Sequence, residues 1–443
     1  MERTWNYLKT VFLDLRQENK ANPAFIFIIL ASLSLPLSYA CNSIAVALIV
    51  LSTIITFKKS NFRVDKNLLL PILLFVLMSI SLLWTADFNA SVKALQKELP
   101  LLLLPLCFMA FPLFTTVQKR KILKYFSIGM VLYTIYWLIR ASVRYAITKD
   151  SSVFFYHELV SEDVNAVHVS VYIAIAIFYF LMQPIKSVGE KVAMLLLAVF
   201  MVLLSSKNIM IVFVILIGIY SYRHYKSNRK SKMLKWAVLF VVLIGLALFG
   251  KLKDRFLIEF ESNTAENTIN HDIGTETEKV YNVSIRQAWT QEKFKQNDYF
   301  PGTAFRVYQI RVFKEILTED PIFFTGYGLN AADFRIQEKG LENGVYSGND
   351  TTIGYQNQNF HNEYIQLFAE LGIFGCLILI TMLVLNLKNA LNRKDFIHIS
   401  FAILMISLFL TESFLSRQRG IVFFTIMFCL FNSDSSLIGP KKE

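Results

Sequence analysis

The sequence predicts an all-α polytopic membrane protein with about twelve transmembrane helices and one large, partly helical loop on the outer face. Three observations carry this. Hydrophobic residues make up 54% of the 443 and charged ones 18%, and the apolar residues come in long unbroken runs rather than at amphipathic spacing. Lys and Arg gather in alternate links between those runs, where they orient helices. One polar stretch, about 250–360, separates the first nine runs from the last three. The formal charge of +12 could suggest nucleic acid, but its placement in short links points to membrane lipids and away from a nucleic-acid partner.

The first 22 residues lack the apolar stretch of a cleavable signal. Trp5, Leu8, Phe12 and Leu15 recur there at helical spacing among Arg3, Lys9, Arg16 and Lys20, the pattern of an interfacial helix on the cytoplasmic surface. Residues 23–249 then hold spans one to nine, at about 24–39, 44–57, 68–84, 99–114, 125–147, 167–182, 192–204, 209–222 and 236–249. Spans ten to twelve follow at 364–387, 396–415 and 420–432, within residues 361–432, ahead of a cytoplasmic tail at 433–443. Several runs fall short of the roughly 20 residues of a full crossing, so a pair could be re-entrant.

Charge sets the orientation. With a cytoplasmic N-terminus the inner links hold Lys58, Lys59, Arg63 and Lys66, then Lys119, Arg120, Lys121 and Lys124, then Lys186 and Lys191, the basic "RHYKSNRKSKMLK", and Lys388, Arg393 and Lys394. The short outer links hold fewer: Lys93 and Lys97, Lys149, Lys207, and Arg417 with Arg419. Both termini are then cytoplasmic.

The large outer loop, 250–360, changes character along its length. "ESNTAENTINHDIGTETEKV" is poor in large apolar residues and reads as weakly ordered. Beyond it Phe305, Tyr308, Val312 and Ile316 mark one face of a helix ending before Pro321, and "TGYGLNAADF" supplies a glycine-rich turn. Cys41, Cys107, Cys376 and Cys429 all lie in apolar segments without metal-type spacing, which supports neither a disulfide framework nor a metal site. No cofactor-binding pattern is present.

Basic residues are scarce outside, so those near the outer surface are candidates for an anionic ligand. Arg306 opens the amphipathic helix and Lys207 sits in "LLSSKNIM"; an Arg fork meets phosphate oxygens bidentately and Lys acts as a point charge. Headgroup contact or solvation is the plainer alternative. Arg311 lies about 140° of helical rotation from Arg306 and reads as a solvated or supporting residue. His361, flanked by Asn362, Glu363 and Tyr364 at the threshold of span ten, is a candidate general base, since a neutral imidazole can take a hydroxyl proton near neutral pH. An interfacial or cap-neighbour role competes with that, and His157, His168 and His271 are rivals. Glu370, about 10 Å deeper, and Glu412 in span eleven fit ion pairs between helices or ligand binding. Gly372 and Gly375 fit close helix packing.

Taken together, the string from Arg306 through "EILTEDPIFFTGYGLNAADF" to "HNEYIQLFAELGIFG" resembles the signature domain of the bacterial O-antigen ligase and polymerase superfamily. An Arg begins a helix that ends at Pro321; Gly326 and Gly328 form the G-x-G turn; His361, Asn362 and Tyr364 form the H-N-x-Y element; Glu370, Gly372 and Gly375 follow. The resemblance departs at Lys207, where Arg is usual, and at Ile310, often Trp. It implies a metal-independent glycosyltransferase of the inner membrane, using no cofactor, that takes a glycan from undecaprenyl diphosphate on the periplasmic side. The acceptor it implies is lipid A core in a ligase or another lipid-linked glycan in a polymerase. It also implies His361 as base and Arg306 with Lys207 as the diphosphate-binding pair.

Twelve spans and intramembrane acids also suit a transporter or flippase, although no inverted repeat is visible. A carboxylate mechanism would centre on Asp87, which has no acidic neighbour closer than Glu98.

Overall fold

A computed structural model describes residues 2–161, 164–224, 251–264, 268–270, 273, 279–350 and 352–433. The chain is mostly helical, 72%. In order come α1 (Glu2–Ala21), α2 (Ala24–Leu33), α3 (Tyr39–Thr56), α4 (Leu69–Ser81), α5 (Phe88–Glu98), α6 (Pro100–Ala110), α7 (Thr116–Thr148), α8 (Tyr156–Leu159), α9 (Ala166–Met182), α10 (Val188–Leu203) and α11 (Lys207–His224). The apolar run at 236–249, most of the basic cluster before it, His271 and residues 434–443 lie outside the described residues.

Among the described residues, α3, α7 and the later Glu363–Arg393 are long and apolar enough to cross a membrane, and six further apolar helical stretches are 10–17 residues long. Helix α7 starts well before its apolar run, because Thr115 and Gln118 form a capping box that nucleates a polar first turn. Lys121 in that extension pairs with Asp14 at 2.5 Å and Glu18 at 2.6 Å, tying α1 to it.

At the centre stands α9, buried on every side from Ala166 to Leu181. Such all-round burial needs neighbours on all faces, and α7, α10 and α11 supply part of it. Rings carry much of the packing: Phe126 and Tyr172 lie 6.4 Å apart, and Trp137 stacks on Phe200 at 5.7 Å.

The polar segment forms a second cluster with its own core. It contains α12 (Lys251–Thr264), α13 (Ile285–Thr290), α14 (Gly302–Glu319) and α15 (Asp333–Glu342). Phe305, Tyr308, Val312 and Ile316 are buried in α14, packed with Phe294, Phe300 and Phe360. The helix starts at Gly302, so Arg306 sits one turn inside it and does not open it. Helix α12 covers residues 261–264, the start of a stretch read as loop-like. Three two-residue strands also appear where an all-α chain was expected. β1 (Thr268–Ile269) runs antiparallel to β2 (Tyr281–Asn282), which runs parallel to β3 (Asp298–Tyr299). Two residues are too few for side-chain alternation to mark a strand.

The chain returns to the apolar core through α16 (Glu363–Arg393), α17 (Phe396–Leu408) and α18 (Gln418–Asn432). Helix α16 is broken at Gly372, which has φ +64° and ψ −164°. Backbone groups freed inside an apolar region are costly unless paired, and here the glycine-rich turn pairs them. Tyr327 N donates to Ala369 O at 2.9 Å, Gly328 N to Glu370 O at 2.8 Å, and Ile373 N to Phe323 O at 2.8 Å. A Cβ on Gly372 would come within 2.2 Å of Phe324 O, and one on Gly326 within 2.2 Å of the Glu370 carbonyl carbon. The expectation that Gly372 permits helix-on-helix packing is therefore corrected: it lets a loop backbone reach the broken helix. The turn is held from its other side by Ser91 Oγ, which donates to Leu329 O at 2.5 Å, and by Trp84 Nε1, which donates to Thr325 O at 3.0 Å.

Gly372→Ala should cost about 2 kcal/mol or more, since its positive-φ, extended-ψ backbone is essentially confined to glycine and costs another residue on the order of 1–3 kcal/mol, and the clash adds to it. Gly218→Ala, in α11, where an added Cβ would meet no atom of another described segment within 4 Å, should be neutral or stabilising by up to about 1 kcal/mol. Thermal unfolding in detergent checks both, and equal midpoints for the two variants would refute the account of the joint.

Candidate functional site

The site is assembled around the link between α17 and α18. Glu412 was placed by its apolar run in a span, but α17 ends at Leu408 and Glu412 lies in this link. The start of α16 is stitched to the same segment. Asn362 caps α16, accepting from Tyr364 N at 3.0 Å and Ile365 N at 3.1 Å, and donates to Leu410 O at 3.3 Å. Glu363 N donates to Phe409 O at 2.8 Å, the Glu363 carboxylate accepts from Leu415 N at 2.7 Å, and Tyr364 Oη donates to Ile406 O at 3.0 Å. Asn362 and Glu363 thus fix the link that carries Thr411 and Glu412, and Tyr364 holds the end of α17 just before it.

His361 precedes this cap with φ +47°, a conformation uncommon outside glycine and costly to hold unless the surroundings impose it. Its backbone N donates to Asn359 Oδ1 at 3.1 Å. The imidazole Nδ1 lies 3.5 Å from Glu412 Oε2. Arg306 reaches the other carboxylate oxygen, with Nη2 3.1 Å from Glu412 Oε1, while its Nε donates to Thr411 O at 2.8 Å and its Nη1 to Gly302 O at 2.9 Å. One carboxylate therefore bridges the histidine and the arginine.

Lys207 approaches from α11, after a link in which Ser205 has φ +53°. Its Nζ lies 3.1 Å from Glu259 Oε1, and Glu259 also accepts from Thr303 N at 3.3 Å and Thr303 Oγ1 at 3.1 Å. The next residue, Asn208, donates to Ser407 O and to Thr411 Oγ1, both at 2.8 Å. Two acids thus hold the two cations, and both networks end on the first turn of α14 and the α17–α18 link.

Lys207, Arg306, His361 and Glu412 line one cavity of about 1530 Å³. The side chains of His361 and Arg306 are 30% and 32% exposed, against 12% for Glu412, so the cationic and basic groups are reachable while the acid sits behind them. Burial works against ionisation of Glu412, yet the hydrogen bond from His361 and the charges of His361 and Arg306 outweigh it and hold the carboxyl below its ordinary range. With the proton on Nδ1, the tautomer that Glu412 stabilises, Nε2 becomes the basic nitrogen, and it has no hydrogen-bond partner among the described residues.

Other residues singled out in the sequence lie elsewhere. Arg311 points away, its Nε 2.7 Å from Glu315 Oε1 and its Nη1 on Gln291 O, and it ties α14 to the segment after α13. Glu370 is buried at the helix break, where Gln366 Nε2 donates to it at 2.5 Å. His157 accepts from Ala166 N at 3.5 Å, and His168 packs its ring 4.2 Å from Phe414. Arg419 donates to Leu37 O and lies 4.2 Å over the Tyr39 ring. Asp87 caps α5, accepting from Ala90 N at 3.0 Å. Sequence reasoning missed Glu259, one acid among several in a segment set apart from the apolar runs, and Thr411, whose contribution through its backbone carbonyl leaves no trace in residue type.

Residues 192–380 match the family model described as O-Antigen ligase. No curated protein matches the chain.

Because its native carboxyl is shifted down, Glu412 contributes stability that is present above the ordinary carboxylate value of about 4.3 and lost as pH falls below it. Glu412→Gln should therefore lower the melting temperature at pH 7 and flatten its decline below about pH 4.3, as read by thermal unfolding across pH. A variant with the same acid limb as the parent chain would contradict the shared-carboxylate arrangement.

Proposed function

We propose that this chain, whose residues 192–380 carry the O-antigen ligase domain, is a membrane glycosyltransferase that moves a glycan from undecaprenyl diphosphate to an acceptor hydroxyl. The reading supported best is an O-antigen ligase working on the periplasmic side of the inner membrane, with lipid A core as acceptor and both termini cytoplasmic. The observation that carries it is the single cavity shared by Lys207, Arg306 and His361. The helix-rich apolar body and the family match support a membrane enzyme acting on lipid-linked glycans.

In this reading the acceptor hydroxyl gives its proton to His361 Nε2 as its oxygen attacks the anomeric carbon of the donor sugar. The bond from that carbon to the phosphate oxygen breaks, and its electron pair leaves with the diphosphate. Glu412 steadies the imidazolium that forms, across the 3.5 Å contact with Nδ1. Arg306 and Lys207 take the charge that develops on the leaving diphosphate. Such preset charge is worth more than the same groups in water, because it needs no reorganisation during the reaction. The mechanism assigns this neutralisation to side chains and calls for no metal. Lys207 offers a point charge where a guanidinium would offer a planar fork, so the geometric demand falls on Arg306, whose planar head is held by Thr411 and Gly302.

A polymerase of the same superfamily uses the same donor chemistry and a lipid-linked glycan acceptor, and a flippase moves the donor without breaking it. Protein reconstituted in lipid with a labelled polyprenyl diphosphate glycan separates these classes: transfer with diphosphate release supports the enzyme, and translocation with intact donor overturns it. Deletion of the gene followed by lipopolysaccharide gels separates the acceptors. Loss of long chains with lipid-linked polymer accumulating indicates a ligase, and a core bearing one repeat indicates a polymerase.

His361→Ala should lower kcat by roughly 10²–10⁴-fold, the range for a lost general base. Arg306→Ala should lower it comparably, while Lys207→Arg should retain activity and Lys207→Ala should raise the donor KM. Asp87→Asn should leave turnover unchanged. A fully active His361→Ala protein would remove the basis of the mechanism.

A further inference from the structure

The cavity exceeds what its reacting end requires. Pockets that enclose one drug-sized molecule measure roughly 300–1,000 Å³, and this one measures about 1530 Å³. The additional space runs from His361 toward the segments around β2 and residues 346–358, and its wall has a consistent chemistry. Starting at the imidazole, the Phe305 ring lies 5.6 Å away, the Tyr355 ring 5.2 Å beyond it, and the Tyr346 ring 6.3 Å further. All four line the cavity. Tyr355 is fixed in place because its hydroxyl accepts from Phe300 N at 3.1 Å.

Polar groups interleave with the rings. Tyr281 and Gln358 line the same space and are half-buried, as is Tyr346. The hydroxyls of Tyr281 and Tyr346 and the amide of Gln358 make no hydrogen bond to another described residue, although each can both donate and accept. A wall of contiguous aromatic rings, edged by hydroxyl and amide groups, matches the two surfaces of a sugar. Its C–H face packs on a ring, and its hydroxyls exchange hydrogen bonds at the rim. A lipid chain would leave those polar groups unmet.

We propose that Tyr346, Tyr355, Tyr281 and Gln358 form an oligosaccharide-binding track that leads away from His361 and holds sugars beyond the one undergoing transfer. This rests on the glycan-transfer reading above and adds to it a recognition site for glycan length. The ligand is the glycan of the donor or that of the acceptor.

The test uses full-length protein in lipid, with undecaprenyl diphosphate donors carrying one sugar or several repeats, and acceptors of matching short and long form. Tyr346→Ala should raise KM for a long substrate about tenfold, the scale of one aromatic contact, and leave the short substrate and kcat unchanged. Tyr346→Phe, which keeps the ring and loses the hydroxyl, should keep part of the preference for length, and Gln358→Ala should weaken it. A penalty that grows with donor length assigns the track to the donor, and one that grows with acceptor length assigns it to the acceptor. Equal effects on short and long substrates, or none on either, overturn the track while leaving the transfer reading intact. If the parent chain transfers no glycan, titration with free oligosaccharide still decides: saturable binding lost in Tyr346→Ala supports the track, and no saturable binding overturns it.

Discussion

The site depends on one carboxylate. Glu412 offers one oxygen to Arg306 and the other to His361, and these two residues come from different elements. Without it a guanidinium and an imidazole near each other would repel whenever the ring gained a proton, and the imidazole would lose the contact that directs its ring. A buried acid between them sets the guanidinium's position and the imidazole's tautomer together. Because Glu412 is itself largely covered, its charge is screened less than a surface acid's, and the cost of its burial is offset by two partners rather than one.

A long support chain keeps that carboxylate in place. It sits on an irregular link, and irregular backbone in an apolar surrounding is tolerated only where its polar groups are met by protein. Asn362 and Glu363 meet them at the start of α16, while Tyr364 and Asn208 take the last carbonyls of α17, and Asn208 also reaches Thr411. The cap of one helix is thereby also the brace of the link opposite. Lys207 and Glu259 repeat the arrangement with a second acid and cation, anchored on Thr303 at the start of α14.

The apolar runs were legible because a helix in lipid must be apolar over most of its length, and each described run coincides with a helix. Boundaries were less so. The start of α7 is set by a capping box that hydropathy does not register, and the end of α17 falls before Glu412 because the chain leaves the helix there. The short strands left no pattern to read. Gly372 shows the limit most clearly. A glycine in an apolar helix reads as a packing surface, and only the tertiary structure reveals that a loop distant in sequence needs its backbone. In the same way Lys207, Arg306 and His361 could be singled out by residue type and by resemblance, while their meeting on one cavity belongs to long-range structure. Glu259 had no signal at all.

The interruption of α16 at Gly372 also has a mechanical meaning. A continuous rod spanning a bilayer transmits every change of tilt or thickness along its length. In this helix the upper part, which starts at the asparagine cap, is clamped from the side by the turn at Phe323–Gly328 and by the link ahead of α18, and the break at Gly372 separates it from the lower part. The same turn also holds the first residue beyond the break, where Ile373 N donates to Phe323 O at 2.8 Å, so both parts of the helix take their position from one loop.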